Sequence, residues 1–361
     1  GGEGGSGDPG WVLSPEMECV QVGFPCSMAE MGDEVHDAAI AILFEALEVL
    51  DSTGMMASAR AFLEGHADVI EVLGDETALR FRIEASTPIW LLDVSDIVPE
   101  APSPALKSLG TTDGFGTKGI VGEDTSGDAK IDNHDEKRAL VLAPYEWQFK
   151  PWDESDLLSG QLESLRGYEG NVTFKNNPTK TDQNIVLADY AGWRELDLIY
   201  LSTHGKRLCG GMPRHCAIVI SSGVYWDLDN RPEMISVPGV TALGRWNREE
   251  GYESQYVGLG VTLGFFQSVY GDGLDDALVY FSACETGDSG ASELAQAIGG
   301  DDFVMFGWTE VVHSDDAFRA SSLMFEKLGQ GLPASIAHDE VRMAGLHSAV
   351  NSSGATTVLT R

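Results

Sequence analysis

From Arg138 onward, short apolar runs alternate with segments of helical spacing, and this order constrains the fold more than any other feature. The runs 139–144, 171–174, 198–203, 278–283 and 303–308 predict strands, whereas 154–165, 185–193, 292–298, 315–328 and 333–346 predict helices. Short apolar runs bounded by turns are typical of strands buried in a parallel sheet. Because strands alternating with helices imply right-handed crossovers, the sequence predicts an α/β fold with a mostly parallel sheet and helices on both faces.

Two of these predicted strands are followed by residues whose side chains could act together in catalysis. The run 198–203 ends at His204, and the run 278–283 ends at Cys284. Open α/β sheets bind ligands beyond the carboxyl ends of their strands, so we expect both side chains in one crevice. A thiol needs a base or a positive environment to become a nucleophilic thiolate. The pair predicts acyl transfer, with Cys284 attacking a carbonyl and His204 acting as base and then as acid.

Backbone groups beside the two residues complete the predicted site. The N–H groups of Gly205 and Cys284 can donate to an oxyanion that develops during attack. Gly205 also lets a substrate backbone approach closely, because it has no side chain. The alternative is that Cys284 is a small buried hydrophobe without a catalytic role. Its pairing with a histidine that ends another strand favours catalysis.

Four segments resemble CHAT domains, the caspase-like cysteine peptidases related to separases. The strings Ser202–Thr203–His204–Gly205 and Ser282–Ala283–Cys284–Glu285–Thr286–Gly287 look like the two signature motifs of that family. Residues 307–316 are similar to its Trp-containing strand and acidic loop, and 334–343 resembles its closing helix. The resemblance covers about residues 137–350. It implies a caspase-like fold and a cysteine endopeptidase with a Cys284–His204 dyad.

The resemblance also implies a substrate preference. In separase-like relatives an aspartate of the acidic loop binds a basic P1 side chain, and Asp315 or Asp316 would fill that role here. The expected partner is a protein or peptide substrate, and no cofactor is expected. Two alternatives stay open: a non-catalytic CHAT-like interaction module, and a cysteine amidohydrolase or transpeptidase that acts on a non-protein amide.

Composition divides the chain before the peptidase segment into three parts. Residues 1–27 are rich in Gly and Pro and predict a flexible tether, like the one after the lipidated cysteine of a bacterial lipoprotein, or a remnant of cloning. Residues 28–98 carry helical spacing and then a hairpin pattern over 78–94, which predicts a small α+β accessory domain. Residues 99–136 read as an acidic Gly/Pro-rich linker, followed by the predicted peptidase domain over 137–361.

An insertion of about residues 206–274 separates the two motifs and is long for the family. It contains several aromatic residues, namely Tyr225, Trp226, Trp246, Tyr252 and Tyr256. These residues could form a lid or a substrate platform, or they could belong to an ordinary insertion with surface aromatics. His215 in the insertion and His313 in the acidic loop could reach the cleft, although a surface position is the more common one for such residues.

The charge of the chain limits its partners. Lys and Arg number 23 against 57 Asp and Glu, which gives a net charge of −34. Such a surface repels phosphate backbones and anionic lipids, so nucleic-acid binding is not expected. No run approaches the roughly 18 apolar residues of a membrane span. A calcium ion is a secondary possibility, because Asp124, Asp128, Asp132 and Asp135 offer oxygen ligands, but their spacing is not that of an EF-hand.

The five cysteines fall into two local pairs and one remainder. Cys19 and Cys26 are seven residues apart, as are Cys209 and Cys216, which leaves Cys284. This count predicts two disulfides in a secreted, periplasmic or surface-tethered bacterial protein. The alternative is a cytoplasmic protein with five reduced thiols. Zinc is disfavoured, because neither pair has CxxC spacing and the histidines do not cluster.

Overall fold

The computed structural model describes residues 18–95, 137–165, 167–210, 215–225, 236–247, 256–287, 293–300, 303–344, 346 and 357–360. Residues 1–17 of the predicted tether lie outside the described residues, whereas 18–27 are described; the acidic linker with Asp124, Asp128, Asp132 and Asp135 also lies outside them. Among the helices of the described part, none is both long enough and apolar enough to cross a membrane.

The strands form two sheets. Their bounds are β1 Val69–Gly74, β2 Ala78–Ile83, β3 Ile89–Asp93, β4 Ala139–Ala143, β5 Val172–Asn176, β6 Leu198–Ser202, β7 Gly205–Gly210, β8 His215–Tyr225, β9 Val240–Trp246, β10 Tyr256–Thr262, β11 Leu278–Ser282, β12 Val304–Trp308 and β13 Thr357–Thr360. One sheet has the order β13-β12-β11-β6-β4-β5, and the other has the order β1-β2-β3-β9-β10-β8-β7.

The helices connect and cover these strands. Their bounds are α1 Glu18–Val22, α2 Asp33–Thr53, α3 Met56–Gly65, α4 Glu146–Phe149, α5 Ser155–Glu163, α6 Leu187–Ala191, α7 Leu263–Tyr270, α8 Glu293–Ile298, α9 Ser314–Gly329 and α10 Ala334–Met343. Short 3₁₀ turns lie at Met28–Glu30 and Trp193–Glu195. Each strand and helix predicted between 139 and 346 is present within a few residues of its expected bounds.

The six-stranded sheet is parallel except at one edge. Strands β5, β4, β6, β11 and β12 pair in parallel, and β13 pairs antiparallel with β12. Alternate side chains point to opposite faces, which places Tyr200 and Tyr280 in one core with α5, α9 and α10. Leu201 and Phe281 lie in the other core with α7 and α8. The predicted α/β class, with helices on both faces of a mostly parallel sheet, is confirmed.

The seven-stranded sheet joins two segments that the sequence places in separate units. Strands β1 to β3 come from the predicted accessory domain, and β7 to β10 come from the predicted insertion. They meet where β3 pairs in parallel with β9, from Trp90 opposite Leu243 to Asp93 opposite Trp246. Helix α2 covers this sheet with Leu43 and Leu47, which contact Gly244 of β9. The two segments therefore share one sheet and one core.

Candidate active site

His204 and Cys284 occupy equivalent positions beyond two neighbouring parallel strands. Strands β6 and β11 pair with Ser202 opposite Ser282, so His204 and Cys284 each lie two positions past the last pair. The N–H of Thr203 donates to the carbonyl O of Ser282 at 3.1 Å, which extends the pairing beyond the strand ends. Neighbouring strands are about 4.8 Å apart. The structure thus brings the two predicted residues to the same edge of the sheet.

Gly205 permits a close approach between the two motifs. A Cβ at this position would collide with the carbonyl O of Cys284 and would lie 3.1 Å from Cγ2 of Thr286. His204, Gly205 and Cys284 all line one cavity of about 230 Å³. The opposite wall of that cavity belongs to the N-terminal segment and includes Glu76 and Asp93. The histidine and the thiol therefore open into one space that two parts of the chain enclose.

The imidazole of His204 is held between two rings and one amide. The ring centroids of Tyr145 and Phe149 each lie 4.8 Å from that of His204. Nε2 of His204 lies 2.9 Å from Oε1 of Gln148 on α4. The guanidinium of Arg245 donates to the same oxygen and lies over the ring of Tyr145, 4.1 Å from its centroid.

These contacts define the tautomer of His204. A guanidinium carries only donors, so the Gln148 atom that it contacts must be the carbonyl oxygen. Since that oxygen can only accept, Nε2 of His204 carries the proton and donates it to Gln148. Nδ1 then holds the lone pair, and in the structure this buried atom has no hydrogen-bond partner. Nδ1 is therefore the nitrogen of His204 that can accept a proton.

Burial favours the neutral forms of both His204 and Cys284. His204 is 1% exposed and Cys284 is 3% exposed. Burial lowers the pKa of His204 well below its usual range, and the positive charge of Arg245 lowers it further. Burial also raises the pKa of the Cys284 thiol to about 11. At neutral pH the site thus contains a thiol and a neutral imidazole rather than a thiolate and an imidazolium.

The turn after β11 is tied to the loop that follows β12. The N–H of Val312 lies 3.4 Å from Sγ of Cys284, and the thiol lies 3.7 Å from the carbonyl O of the same residue. The hydroxyl of Thr286 donates to the carbonyl O of Ala283 at 2.8 Å. Gly287 donates its N–H to Trp308 on β12 at 2.8 Å. Hydrogen bonds within the turn, and from the turn to β12 and the loop after it, consequently hold the thiol at the end of the sheet.

The amide of Gly205 faces away from its neighbouring strand. Ser221 of β8 donates its N–H to the carbonyl O of His204 at 2.9 Å, so these two residues form a hydrogen-bonded pair. In antiparallel strands such pairs alternate with pairs whose N–H groups point outward. Gly205, opposite Ile220, is in the outward position. Its N–H therefore points away from β8, and its role as an oxyanion donor stays a prediction.

A second, smaller cavity of about 20 Å³ lies against Cys284 and contains a buried carboxyl group. Glu154, which is 2% exposed, lines it together with the serines Ser202, Ser282 and Ser314. The hydroxyl of Ser282 donates to Oε1 of Glu154 at 2.9 Å, and Tyr200 contacts the same oxygen. Burial and the neighbouring Asp153 raise the pKa of Glu154 to about 8.

Asp153 extends this acidic region. The hydroxyl of Ser202 donates to its Oδ2 at 3.1 Å, and the N–H of Ser155 donates to Oδ1 at 2.9 Å. Burial raises the pKa of Asp153, and the nearby Glu146 adds to that increase. Two carboxyl groups that are adjacent in the chain therefore hold their protons more tightly than ordinary side chains do.

Asp315 and Asp316 lie on the first turn of α9. Their neighbours Ser314 and Ala317 line the small cavity beside Cys284. Among the described residues that line this cavity, the acidic side chain is that of Glu154. Asp316 is 1% exposed. Oxygens of both aspartates and a ring nitrogen of His313 lie within 4.8 Å of one another, a grouping that could hold a metal ion. The sequence-based candidates are thus next to the cavity, and Glu154 is the group that lines it.

The cysteines pair as predicted. Cys19 is bonded to Cys26, Cys209 is bonded to Cys216, and Cys284 is free and buried. Of the aromatic residues of the insertion, Trp246 is buried in the sheet and Tyr225 is exposed. Trp226 and Tyr252 lie outside the described residues, as do the side chains of Tyr256 and His215.

Several residues of the site escape sequence reasoning. Gln148, Arg245 and Glu154 belong to no motif of the chain; Gln148 and Glu154 come from the connection between β4 and α5, and Arg245 comes from β9. Glu154 carries a weak signal, because it follows the first strand of the parallel sheet and precedes α5. Arg245 carries none, since its position depends on how β9 enters the second sheet.

Comparison of the chain with known proteins identified no relative. No family model matches the chain, and neither a curated protein nor a solved structure matches it. The chemistry of the site must therefore be argued from its own geometry.

Proposed function

We propose that this protein is a cysteine endopeptidase with Cys284 as nucleophile and His204 as general base. One observation carries the proposal: a free thiol and a histidine with an unpartnered Nδ1 line one cavity at the ends of neighbouring parallel strands. The other four cysteines are in disulfides, so Cys284 is the chain's one thiol available for nucleophilic chemistry. The resemblance of the two strand-end motifs to CHAT domains supports the same reaction.

The proposed reaction uses the tautomer that Gln148 and Arg245 define. Nδ1 of His204 takes the proton of the Cys284 thiol as Sγ attacks the carbonyl carbon of the scissile bond. The oxyanion of the tetrahedral intermediate accepts from the N–H groups of Gly205 and Cys284. The imidazolium then gives its proton to the leaving amine as the C–N bond breaks. Water, deprotonated by the same nitrogen, hydrolyses the resulting thioester.

Binding of substrate would start this reaction. A buried thiol with a pKa of about 11 is a poor nucleophile in the free protein, and a neutral imidazole beside it does not stabilise a thiolate. An extended peptide in the cavity places an electrophile and new dipoles next to both groups. Catalytic hydrogen bonds of peptidases often shorten only in such complexes. The low resting reactivity would protect the thiol from oxidation between turnovers.

The carboxyl group that lines the small cavity beside Cys284 would attract a basic P1 side chain, for which this cavity of about 20 Å³ would have to widen. Glu154 and Asp153 are adjacent carboxyl groups, and their hydrogen bonds come from neutral groups. Buried carboxyl groups with raised pKa values ionise when a cation arrives, because the opposite charge offsets the desolvation. The ammonium or guanidinium of a P1 Lys or Arg is such a cation. Asp315 and Asp316, on the adjacent turn of α9, are the alternative partners for this side chain.

The disulfides point to an oxidising compartment. The two disulfides fit an extracellular or periplasmic protein, because such bonds are rare where glutathione keeps thiols reduced. We infer an exported enzyme that acts on proteins or peptides outside the cytoplasm.

Cleavage of a random peptide library by the purified full chain tests the proposal. Wild type should cut peptides at defined P1 residues, while Cys284→Ala and His204→Ala should release no fragments above background. If wild type cleaves non-peptide amides but no peptides, the result would instead support an amidohydrolase. Equal cleavage by wild type and Cys284→Ala would overturn the assignment.

A further inference from the structure

Glu285, directly after Cys284, has an unfavourable backbone conformation. Its φ is 54°, in the left-handed region where residues with a Cβ are uncommon. Such a conformation persists only where the surrounding structure holds it, and it is frequent at functional sites. Because Glu285 shares a peptide group with Cys284, whatever holds Glu285 also positions the thiol.

Strand β7 holds the carboxylate of Glu285 at both oxygens. Nζ of Lys206 donates to Oε1 at 2.8 Å, and the N–H of Arg207 donates to Oε2 at 2.8 Å. The backbone N–H of Glu285 donates to the carbonyl O of Glu310 at 3.2 Å. Lys206 lies two residues after His204, so one short segment supplies the imidazole and the contacts that hold the turn after the thiol.

The ammonium of Lys206 has a second carboxylate partner in the N-terminal segment. Its Nζ lies 2.9 Å from Oδ2 of Asp75, in the turn between β1 and β2. The side chain of Lys206 is 8% exposed, that of Glu285 is 15% exposed, and that of Asp75 is 40% exposed. Burial opposes the charge of Lys206, but Glu285 and then Asp75 outweigh that effect and raise its pKa. The lysine is therefore a charged bridge between two carboxylates.

The turn that carries Asp75 is well ordered by its own contacts. Oδ1 of Asp75 accepts from the N–H of Thr77 at 2.8 Å and from that of Ala78 at 3.0 Å, which leaves Oδ2 for Lys206. Glu76 and Thr77 of this turn also line the cavity into which His204 and Cys284 open. The N-terminal segment thus contacts the proposed catalytic site in two ways, as a cavity wall and through Lys206.

We propose that Asp75, Lys206 and Glu285 form a positioning network through which the β1–β2 turn fixes the backbone that carries Cys284. The inference rests on the proposed role of Cys284 as nucleophile. None of the three side chains touches the reacting atoms, so they are positioning residues and not catalytic ones. A displacement of the N-terminal turn would release Lys206, and the strained turn at Glu285 would relax away from the geometry needed for attack.

The charged groups around the thiol set the direction of each electrostatic effect. Cys284 lines the large cavity together with His204, Lys206, Glu76 and Asp93, and it lines the small cavity together with Glu154. Beyond burial, the Glu285 carboxylate raises the pKa of the thiol and the Lys206 ammonium lowers it. Removing the lysine should therefore raise the thiol pKa, and neutralising Glu285 should lower it.

Two readouts on the full chain test the network, namely kcat and KM for a cleaved peptide, and the pH dependence of Cys284 alkylation by iodoacetamide. Asp75→Asn and Lys206→Met should each lower kcat about 10-fold, with KM changed less than twofold. The double variant should have a kcat no lower than that of the more impaired single variant. Lys206→Met should move the alkylation midpoint to higher pH, and Glu285→Gln should move it lower. Lys206→Arg, which keeps the charge, should restore most of kcat.

The control is Asp68→Asn, whose exposed carboxylate lies on the same segment before β1. Thermal unfolding of every variant would separate loss of fold from loss of position. Alkylation does not require peptide cleavage, so a shifted midpoint in a protein that cleaves no peptide would support the network and reject the peptidase. Additive losses in the double variant, or midpoints equal to those of the control, would overturn the network while leaving the peptidase intact.

Discussion

Nε2 of His204 donates a hydrogen bond to Oε1 of Gln148 at 2.9 Å, and this contact determines which imidazole nitrogen carries the proton. Arg245 contacts the same oxygen and thereby fixes the orientation of the amide. The unpartnered Nδ1 is left as the acceptor. A side-chain amide and a buried guanidinium from two separate segments thus prepare the histidine for its proposed role.

Substitution of Gln148 tests this arrangement. In Gln148→Leu the imidazole loses its acceptor at Nε2 and can adopt either tautomer, so kcat/KM should fall about 10- to 100-fold. The ¹⁵N chemical shifts of His204 should change from one Nε2–H tautomer to a mixture. Gln330→Leu, a remote and exposed glutamine site, is the control and should change neither quantity. An unaltered tautomer with full activity in Gln148→Leu would contradict the role of this contact.

The charge of Arg245 predicts a change in the pH profile. Burial and then Arg245 lower the pKa of His204, so the imidazole of the wild type stays neutral, and able to accept a proton, well below pH 6.5. Loss of the guanidinium in Arg245→Met should raise the pKa of His204, and the acidic limb of kcat/KM should move to higher pH. Arg138→Met, at an exposed arginine, should leave the limb in place. A limb at the same pH in both variants would show that Arg245 does not act on His204.

Glu154 should determine the preference for a basic P1 residue. If it binds the P1 cation, Glu154→Gln should lower kcat/KM for Lys and Arg substrates about 10- to 100-fold and spare substrates with neutral P1 residues. Asp315→Asn and Asp316→Asn are the matched comparisons, because these aspartates lie on the adjacent turn of α9. Selective loss in either aspartate variant, with none in Glu154→Gln, would assign the pocket to α9 instead.

Glu154 should also make the fold less stable at alkaline pH. Its pKa is raised from 4.5 to about 8, so the folded state binds the proton more tightly than the unfolded state. The stabilisation is fully present below pH 4.5 and is lost as pH rises through about 8. Between pH 5 and pH 8.5 the Tm of wild type should therefore fall by about 2 to 5 °C more than that of Glu154→Gln. Equal falls would mean that Glu154 is ionised in the fold.

The placement of His204 and Cys284 at neighbouring strand ends was predictable because its signal is local. An apolar run that ends in a histidine or a cysteine gives both the strand and the chemical group, and parallel pairing of such strands places their ends together. The disulfides were predictable for the same reason, as each joins residues seven apart. The acidic residue of the small cavity was not, because a family motif directs attention to Asp315 and Asp316 while Glu154 lies in no motif.

The second sheet could not be predicted from the sequence. Its central contact pairs β3 with β9, and residues 90–93 and 243–246 have no shared pattern that specifies this pairing. Period-2 alternation identifies a strand but not its neighbour. The placement of Arg245 beside Gln148, and of Asp75 beside Lys206, follows from that pairing. The sequence thus predicts the reacting groups, while long-range strand pairing determines the residues that hold them.

Peptide hydrolysis by Cys284→Ala, compared with wild type, tests the central claim most directly. Both proteins should be purified in parallel, shown to unfold at the same temperature, and assayed on the best substrate from the peptide library. We expect the variant to lose at least about 1,000-fold in kcat, because a covalent nucleophile has been removed. Hydrolysis of that peptide by Cys284→Ala at the wild-type rate would contradict it.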